Sequence, residues 1–328
     1  MKVWYDACTG KHMRYGIAVA RQLRKAGHEV ILTTREHPDT LALAEALGEK
    51  PIVVGRYDPS SLSSRLKEST KRMLEFAAMF KESPPDFAIA HQSVELCRTA
   101  FGLHVPTIVT ADTPHAEAVN RLTVPLADTV LTSEAIPKRF YKEYGARKVL
   151  QFKGVDEVAW IKGFKPLKSF GFGHPLIVVR QIEKDASYAL GQDDVTLKLA
   201  RKLSSLGKVV FLSRYVKESI NGLTIMKEFV DSASLVAYAD LVVSVGGTIS
   251  RETALQGVPS IVTSEFGRTY VNKYLAQKGF PLFIVSHSEV LASAKKLLGK
   301  RFDVMAKLAR LENPVGIVER LVTEKRVS

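Results

Sequence analysis

The chain has 328 residues, of which 46% are hydrophobic and 25% charged, and its formal net charge is +13. This balance excludes a disordered or fibrous chain, and the length leaves room for two domains with substantial cores. No apolar run approaches the roughly 18 residues that span a bilayer, Met1-Lys2-Val3 leads straight into a strand without a signal-peptide pattern, and Cys8 and Cys97 are too few and too distant for a disulfide framework.

These features lead us to expect a cytoplasmic protein. The charge favours anionic partners such as nucleotide sugars, acidic lipids or nucleic acid, without choosing among them. Lys and Arg form no block of five or more, so a highly charged surface explains the same numbers.

Taken in order, Lys2 to Asp6 reads as a strand and Ala7 to His12 as a loop. Met13 to Ala26 has Ile17, Ala20 and Leu23 at helical spacing, and Glu29 to Thr34 returns as a strand. This βαβ unit implies a parallel sheet with a crevice at the strand carboxyl ends, into which Thr9, Gly10, Lys11 and His12 point. His12 opens the helix, and an imidazole of ordinary pKa, about 6.5, suits proton transfer; a helix cap or a surface group is the alternative.

Leu41 to Leu47 reads as a short helix and Pro51 to Val54 as a strand. Leu62, Leu66, Met73, Ala77 and Phe80 form an apolar stripe on a long basic helix. The expectation is that this stripe buries against the sheet; peripheral contact with an anionic membrane is the competing reading. Strands at Phe87 to Ala90, Thr107 to Thr110 and Thr129 to Thr132 end in His91-Gln92-Ser93, in Asp112-Thr113-Pro114-His115 and in Ser133-Glu134. Polar residues at one strand end after another describe a cleft lining, with Asp112 and His115 as further catalytic candidates; an Asx turn before Pro114 accounts for Asp112 without chemistry.

The stretch 154–173 loses regular alternation and is read as the crossing between domains. Pro175 to Arg180 opens a second α/β set, with Arg180 at the crevice end of its strand, where it could meet a diphosphate. Val209 to Ser213 is a strand ending in Arg214, and Thr224 to Phe229 a strand followed by Val230. Asp240 to Val245 is a buried strand, after which Gly246 and Gly247 remove every side chain. Thr248 can cap the next helix, Glu252 lies one turn inside it, and Gly257 with Pro259 ends it. Free helix amides facing a glycine wall are a seat for phosphate, and a carboxylate with both oxygens free could accept two sugar hydroxyls.

The run GGTISRETALQGVP, with Gly246, Gly247, Thr248 and Glu252, resembles the nucleotide-binding signature of GT-B glycosyltransferase-like proteins, among them the UDP-N-acetylglucosamine 2-epimerases and the N-acetylglucosaminyl transferase of peptidoglycan synthesis. The opening MKVWYDACTGKH, the segment ADTPHAEAVNRLTVPLADTVLTSEAIPK and the strand end at Arg180 resemble more closely a mostly archaeal family, domain of unknown function 354. The resemblance implies an α/β fold of GT-B architecture, two doubly wound Rossmann-like parallel-sheet domains facing across a cleft. It divides the chain into an acceptor domain at 1–160, a nucleotide-sugar domain at 161–312 and a last helix, 313–328, packing back on the first domain. It also implies that Phe229 and Val230 neighbour a uracil, and that Thr9-Gly10-Lys11-His12 is a reduced form of the glycine-rich loop ending in histidine in the peptidoglycan transferase.

No P-loop, G-x-G-x-x-G, H-x-x-x-H, G-x-S-x-G or D-x-D is present, so neither a metal nor a cofactor is expected, and the diphosphate charge falls to Arg180, Lys11 and the helix start. The epimerase likeness is incomplete: His91-Gln92-Ser93 lacks the family's carboxylate, Arg180-Gln181-Ile182-Glu183 stands where that family has a histidine, and its E-A-N-R run is one residue longer here, at Glu117 to Arg121. The reading is a metal-independent glycosyltransferase-like enzyme that moves the sugar of a nucleotide sugar, with UDP as the expected nucleotide, to an unidentified hydroxyl acceptor, with His12 as base. The alternatives are a UDP-sugar 2-epimerase or hydrolase, and a non-catalytic protein of the same fold using its charge on an anionic partner. Nucleic acid is the partner least expected.

Overall fold

The computed structural model describes residues 1–181, 195–213, 218–226, 228–263 and 267–324. They form two compact units, the first comprising Met1–Trp160 with Glu312–Ser328 and the second Ile161–Leu311.

The first unit is built on a seven-stranded parallel sheet: β1 (Lys2–Ala7), β2 (Glu29–Glu36), β3 (Ile52–Arg56), β4 (Phe87–Ala90), β5 (Thr107–Ala111), β6 (Thr129–Ser133) and β7 (Val149–Phe152), ordered β3-β2-β1-β4-β5-β6-β7. The chain runs outward from β1 to one edge and then restarts at β4 on its other side. The β1–β4 border is therefore the switch point, where the loops leaving the two strands diverge and open a crevice. The helices between strands are α1 (Gly10–Lys25), α2 (Pro38–Ala46), α3 (Leu62–Met79), α4 (Val94–Gly102), α5 (Glu117–Thr123) and α6 (Arg139–Glu143), with α7 (Val158–Ile161) after β7. Strands such as Phe-Ala-Ile-Ala in β4 are wholly buried, as expected of a sheet covered on both faces.

Helix α3 departs from expectation. Its buried arc is Glu68, Arg72 and Phe76, while Leu62, Leu66 and Ala77 of the expected core stripe are exposed. The reason is a charge held by β1: Asp6 is fully buried, its Oδ1 takes hydrogen bonds from Arg72 Nη2 and Thr33 Oγ1 at 2.8 Å each, and its Oδ2 takes one from Ser93 Oγ at 2.6 Å. Arg72 Nε donates to Val54 O at 2.8 Å, which pins the helix rotation. Phe76 then packs edge to face on Trp4 and Phe80 packs tilted against it, with ring centroids 4.7 and 4.8 Å apart. Gly55 has φ +64°, and a Cβ there would collide with Arg72 Cγ, so this glycine makes room for the guanidinium.

The second unit repeats the design with six parallel strands, β8 (Leu176–Arg180), β9 (Lys208–Leu212), β10 (Leu223–Ile225), β11 (Leu241–Ser244), β12 (Ser260–Val262) and β13 (Leu282–Ile284), in the order β10-β9-β8-β11-β12-β13. Its switch point is the β8–β11 border. The helices of this unit are α8 (Val195–Leu203), α9 (Ser232–Tyr238), α10 (Thr248–Leu255), α11 (Tyr270–Gln277), α12 (Val290–Leu297) and α13 (Met305–Ala309). Alternation along the strands sends Ile177, Val179, Phe211 and Val243 into one apolar layer and Leu176, Val178, Val210 and Val242 into the other. The last helix, α14 (Pro314–Glu324), belongs to the first unit and lies on α1, where Gln22 Nε2 donates to Glu319 Oε2 at 2.6 Å.

Three local expectations change. Residues 155–158, inside the stretch read as a crossing, are buried, and 154–160 belong to the first unit. The strand expected to reach Phe229 ends at Ile225, so Phe229 and Val230 lie in the approach to α9. The helix after the glycines starts at Thr248, making Gly247 its cap and Thr248 its first residue.

Candidate functional site

At the first switch point the loops after β1, β4, β5 and β7 bring five polar side chains together. Thr9 caps α1 by accepting from His12 N–H at 3.3 Å, which fixes Lys11 and His12 in the first turn of the helix. Lys11 Nζ reaches Asp112 Oδ2 at 2.5 Å and Asp156 Oδ2 at 2.8 Å. His91 Nε2 lies 3.5 Å from Asp112 Oδ1 and 3.9 Å from Asp156 Oδ2, and its Nδ1 is 2.8 Å from Thr110 Oγ1. The His12 and His91 rings stand edge to face with centroids 4.9 Å apart.

One ammonium faces two carboxylates, so with both imidazoles neutral the group carries one excess negative charge. His12 itself is held well below the usual histidine range, first by burial, then by His91, Lys11 and Arg35, with Asp112 opposing. This replaces the expectation of an ordinary titration near 6.5 with a ring that is neutral at neutral pH. Its buried Nδ1 has no hydrogen-bond partner among the described residues.

The loops are braced from behind. Gln92, next to His91, has φ +54°, a left-handed backbone unusual for a side chain of that size. Gln92 Nε2 donates to Asn120 Oδ1 at 2.5 Å, and Asn120 Nδ2 donates to Thr113 O and Pro114 O at 3.1 Å each. Buried Asn120 thus ties the β4 loop to the loop carrying Asp112. His115, on that same loop, is exposed and stands outside the cluster. Gly10 opens α1 beside Lys11, and a Cβ on it would only touch Leu43 at 4.0 Å.

Two sets of side chains among the described residues have metal-ligand spacing: His91, Asp112 and Asp156, and Asp6, Cys8 and Glu95. Each already holds a protein cation, Lys11 in the first and Arg72 in the second, where Arg72 Nη1 is 3.5 Å from Glu95 Oε2. A metal would have to displace that cation. Cys8 is no ready ligand either, because burial, and after it Asp6 and Glu95, push its thiol up to about 12.

At the second switch point the chain presents backbone instead. Gly246 and Gly247 have φ of +114° and +92°, values that side chains rarely adopt. Gly247 is exposed, a Cβ added there would meet nothing within 4 Å among the described residues, and it gives α10 no side-chain cap. The turn is supported from beneath: Gly246 N–H donates to Ser244 Oγ at 3.3 Å, Ser244 Oγ lies 2.8 Å from Ser250 Oγ, and Asn272 Nδ2 donates to Gly267 O at 2.8 Å. Thr248 is half-buried at the first helical position.

Glu252 is 1% exposed, and its Oε2 accepts from Ser232 Oγ at 2.8 Å. The carboxylate is therefore covered and engaged, where the sequence reading expected both oxygens free. Ser232 follows Asp231, which caps α9 by accepting from Ser234 N–H at 3.0 Å, so the same short segment that carries half-buried Phe229 and Val230 also holds Glu252. Arg180 ends β8 half-buried, and Arg214 lies outside the described residues.

Asp156 and His91 are the members of the first cluster that sequence reasoning did not nominate. Asp156 follows β7, a four-residue strand that the sequence reading did not recognise. His91 was visible at a strand end, but its carboxylate partners come from β5 and β7 and not from its own loop.

The chain matches, over residues 1–326, the family described as "Protein of unknown function (DUF354)". It is 31% identical over 336 residues to uncharacterized protein MJ0665 of Methanocaldococcus jannaschii, covering 97% of this chain and 96% of that protein. Among solved structures it is similar to the UDP-GlcNAc 2-epimerase of the same organism in complex with UDP-GlcNAc and UDP, with a TM-score of 0.73, 14% identity and 100% of both chains covered. It is also similar to spinosyn forosaminyltransferase SpnP, with a TM-score of 0.63, 15% identity and 98% of both chains covered. Likeness at such identities shows the fold, that of GT-B glycosyltransferases and epimerases.

Proposed function

The chain belongs to the DUF354 family, and we propose that it is a nucleotide-sugar enzyme that moves the sugar to a hydroxyl acceptor without a metal ion. The observation that carries this reading is the Gly246-Gly247 turn, bare and left-handed before a helix with no side-chain cap, with a buried carboxylate one turn inside. Backbone amides at that helix start suit a diphosphate, which would also draw on Arg180, and Phe229 and Val230 would flank the base. Glu252 would exchange its bond to Ser232 for ribose hydroxyls. UDP is the nucleotide we put first, because the similar epimerase was solved with UDP-GlcNAc and UDP.

In the first unit, His12 is assigned to the acceptor. Its neutral ring can take the hydroxyl proton as that oxygen bonds to the sugar and the sugar–phosphate bond breaks, with Asp112 offsetting the charge that develops. Lys11, which the sequence reading gave to the diphosphate, instead holds Asp112 and Asp156 in place.

The grouping of His91 with two carboxylates favours a second reading, an epimerase or hydrolase, since eliminating and re-adding a nucleotide needs an acid and a base together. Incubation with UDP-N-acetylglucosamine and no acceptor separates the two, with a chelator present throughout. Turnover to UDP or to a second sugar supports epimerase or hydrolase chemistry, and turnover only when hydroxyl acceptors are added supports transfer. A thermal-shift screen that finds no stabilisation by any nucleoside diphosphate or nucleotide sugar contradicts both.

A further inference from the structure

Because Arg72 turns α3 toward Asp6, the helix presents its leucines outward: Leu62 is 81% exposed, Leu66 68% and Leu74 66%. Leu62, Leu66, Met73 and Ala77 recur at spacings of four, seven and four and so share one stripe, and Leu74 sits beside Lys71 and Lys67 at three and seven residues. Between α3 and α4 lies a groove of about 400 Å³ lined by Met73, Leu74, Ala77 and Leu103, with Arg98 at its rim.

Around this apolar face the exposed charges are mostly positive: Arg65, Lys67 and Lys71 on α3 and Arg98 on α4. Of the two acids on α3, Glu68 is buried and engaged by Lys71 at 3.3 Å and Arg56 at 3.5 Å, which leaves Glu75 as the exposed one. Leucines at a solvated surface cost free energy unless something covers them. A second copy meeting this face in a twofold contact would set the same basic helix against itself. Charge complementarity calls for a partner that is apolar within and negative at its surface.

We infer that this face of the first unit docks on an anionic lipid surface, with Leu62, Leu66 and Leu74 entering the acyl boundary and Lys67, Lys71 and Arg98 lying at the level of the phosphates. An interfacial helix of this kind lies in the membrane plane and does not cross it. The inference is independent of the nucleotide-sugar reading, since it uses none of the residues assigned to that chemistry.

The test is flotation of the full chain with vesicles of phosphatidylglycerol and phosphatidylcholine, and with vesicles of phosphatidylcholine alone. Binding to the mixed vesicles is expected to be at least tenfold tighter and to fall as salt is raised. Replacing Leu62, Leu66 and Leu74 together by Ser should weaken it at least tenfold, and Lys67→Gln with Lys71→Gln about tenfold or more. Equal binding to both vesicle types, or no binding to either, overturns the proposal and does so on the unaltered chain, independent of how any variant folds. A stable dimer in sedimentation that Leu66→Glu dissolves would also overturn it, in favour of a second copy.

Discussion

At the β1–β4 border the chain collects Lys11, His12, His91, Asp112 and Asp156, charged or ionisable and buried or half-buried; at the β8–β11 border it offers Gly246 and Gly247 with no side chain at all. Both places arise from the same strand order, so topology supplies the crevice and the loop residues decide its chemistry. The first is preorganised by opposite charges. The second is preorganised by backbone conformation, two glycines at positive φ ahead of α10.

Changing one residue at a time should widen or erase that contrast. The largest effect is expected from Arg72→Leu, which leaves Asp6 buried and unpaired behind the first site. Denaturant unfolding should show a loss of about 3–5 kcal/mol, and a loss under about 1 kcal/mol would mean that the pair does not organise this region. Lys11→Met should cost about 1–3 kcal/mol at neutral pH by leaving Asp112 and Asp156 facing each other.

In the second unit, Gly246→Ala forces a side chain into φ +114° within 3.1 Å of Gly267 Cα and should cost about 1–2 kcal/mol. Gly247→Ala meets no neighbour among the described residues and should cost about 1 kcal/mol for its positive φ, yet on the proposed reading it should weaken nucleotide binding clearly, because its methyl group would stand where the diphosphate is proposed to lie. If both glycine variants bind nucleotide as the parent does, the backbone account of this site fails.

The smallest effect concerns pH. His12 has a folded pKa below its unfolded value, so on acidification the unfolded chain takes up a proton near 6.5 that the folded chain still refuses. His12 therefore lowers stability progressively as pH falls below about 6.5, toward its folded pKa, and contributes nothing of this kind above it. His12→Gln should flatten the decline of the melting temperature across that window and leave the values above pH 7 parallel to the parent's.

Much of the fold was legible because buried parallel strands are short apolar runs and their helices end at glycine. The Gly246-Gly247 turn was legible for the same reason, since backbone motifs are local in sequence. The first cluster was only half legible. Lys11, His12 and Asp112 could be nominated from strand ends, but Asp156 depended on recognising β7. His91 acquires carboxylates from strands 20 to 65 residues further on, by roughly counting along the chain. The rotation of α3 was hidden for a related reason: its leucine stripe predicts burial, and a single buried Asp on a distant strand outweighs it.

The account rests on the second switch point gripping a nucleoside diphosphate, and titration calorimetry with UDP tests that directly. The parent chain should bind UDP, Glu252→Gln should bind at least tenfold more weakly with an unchanged circular dichroism spectrum, and His12→Gln should bind as the parent does. Absence of UDP binding in the parent, or equal affinity in Glu252→Gln, would contradict it.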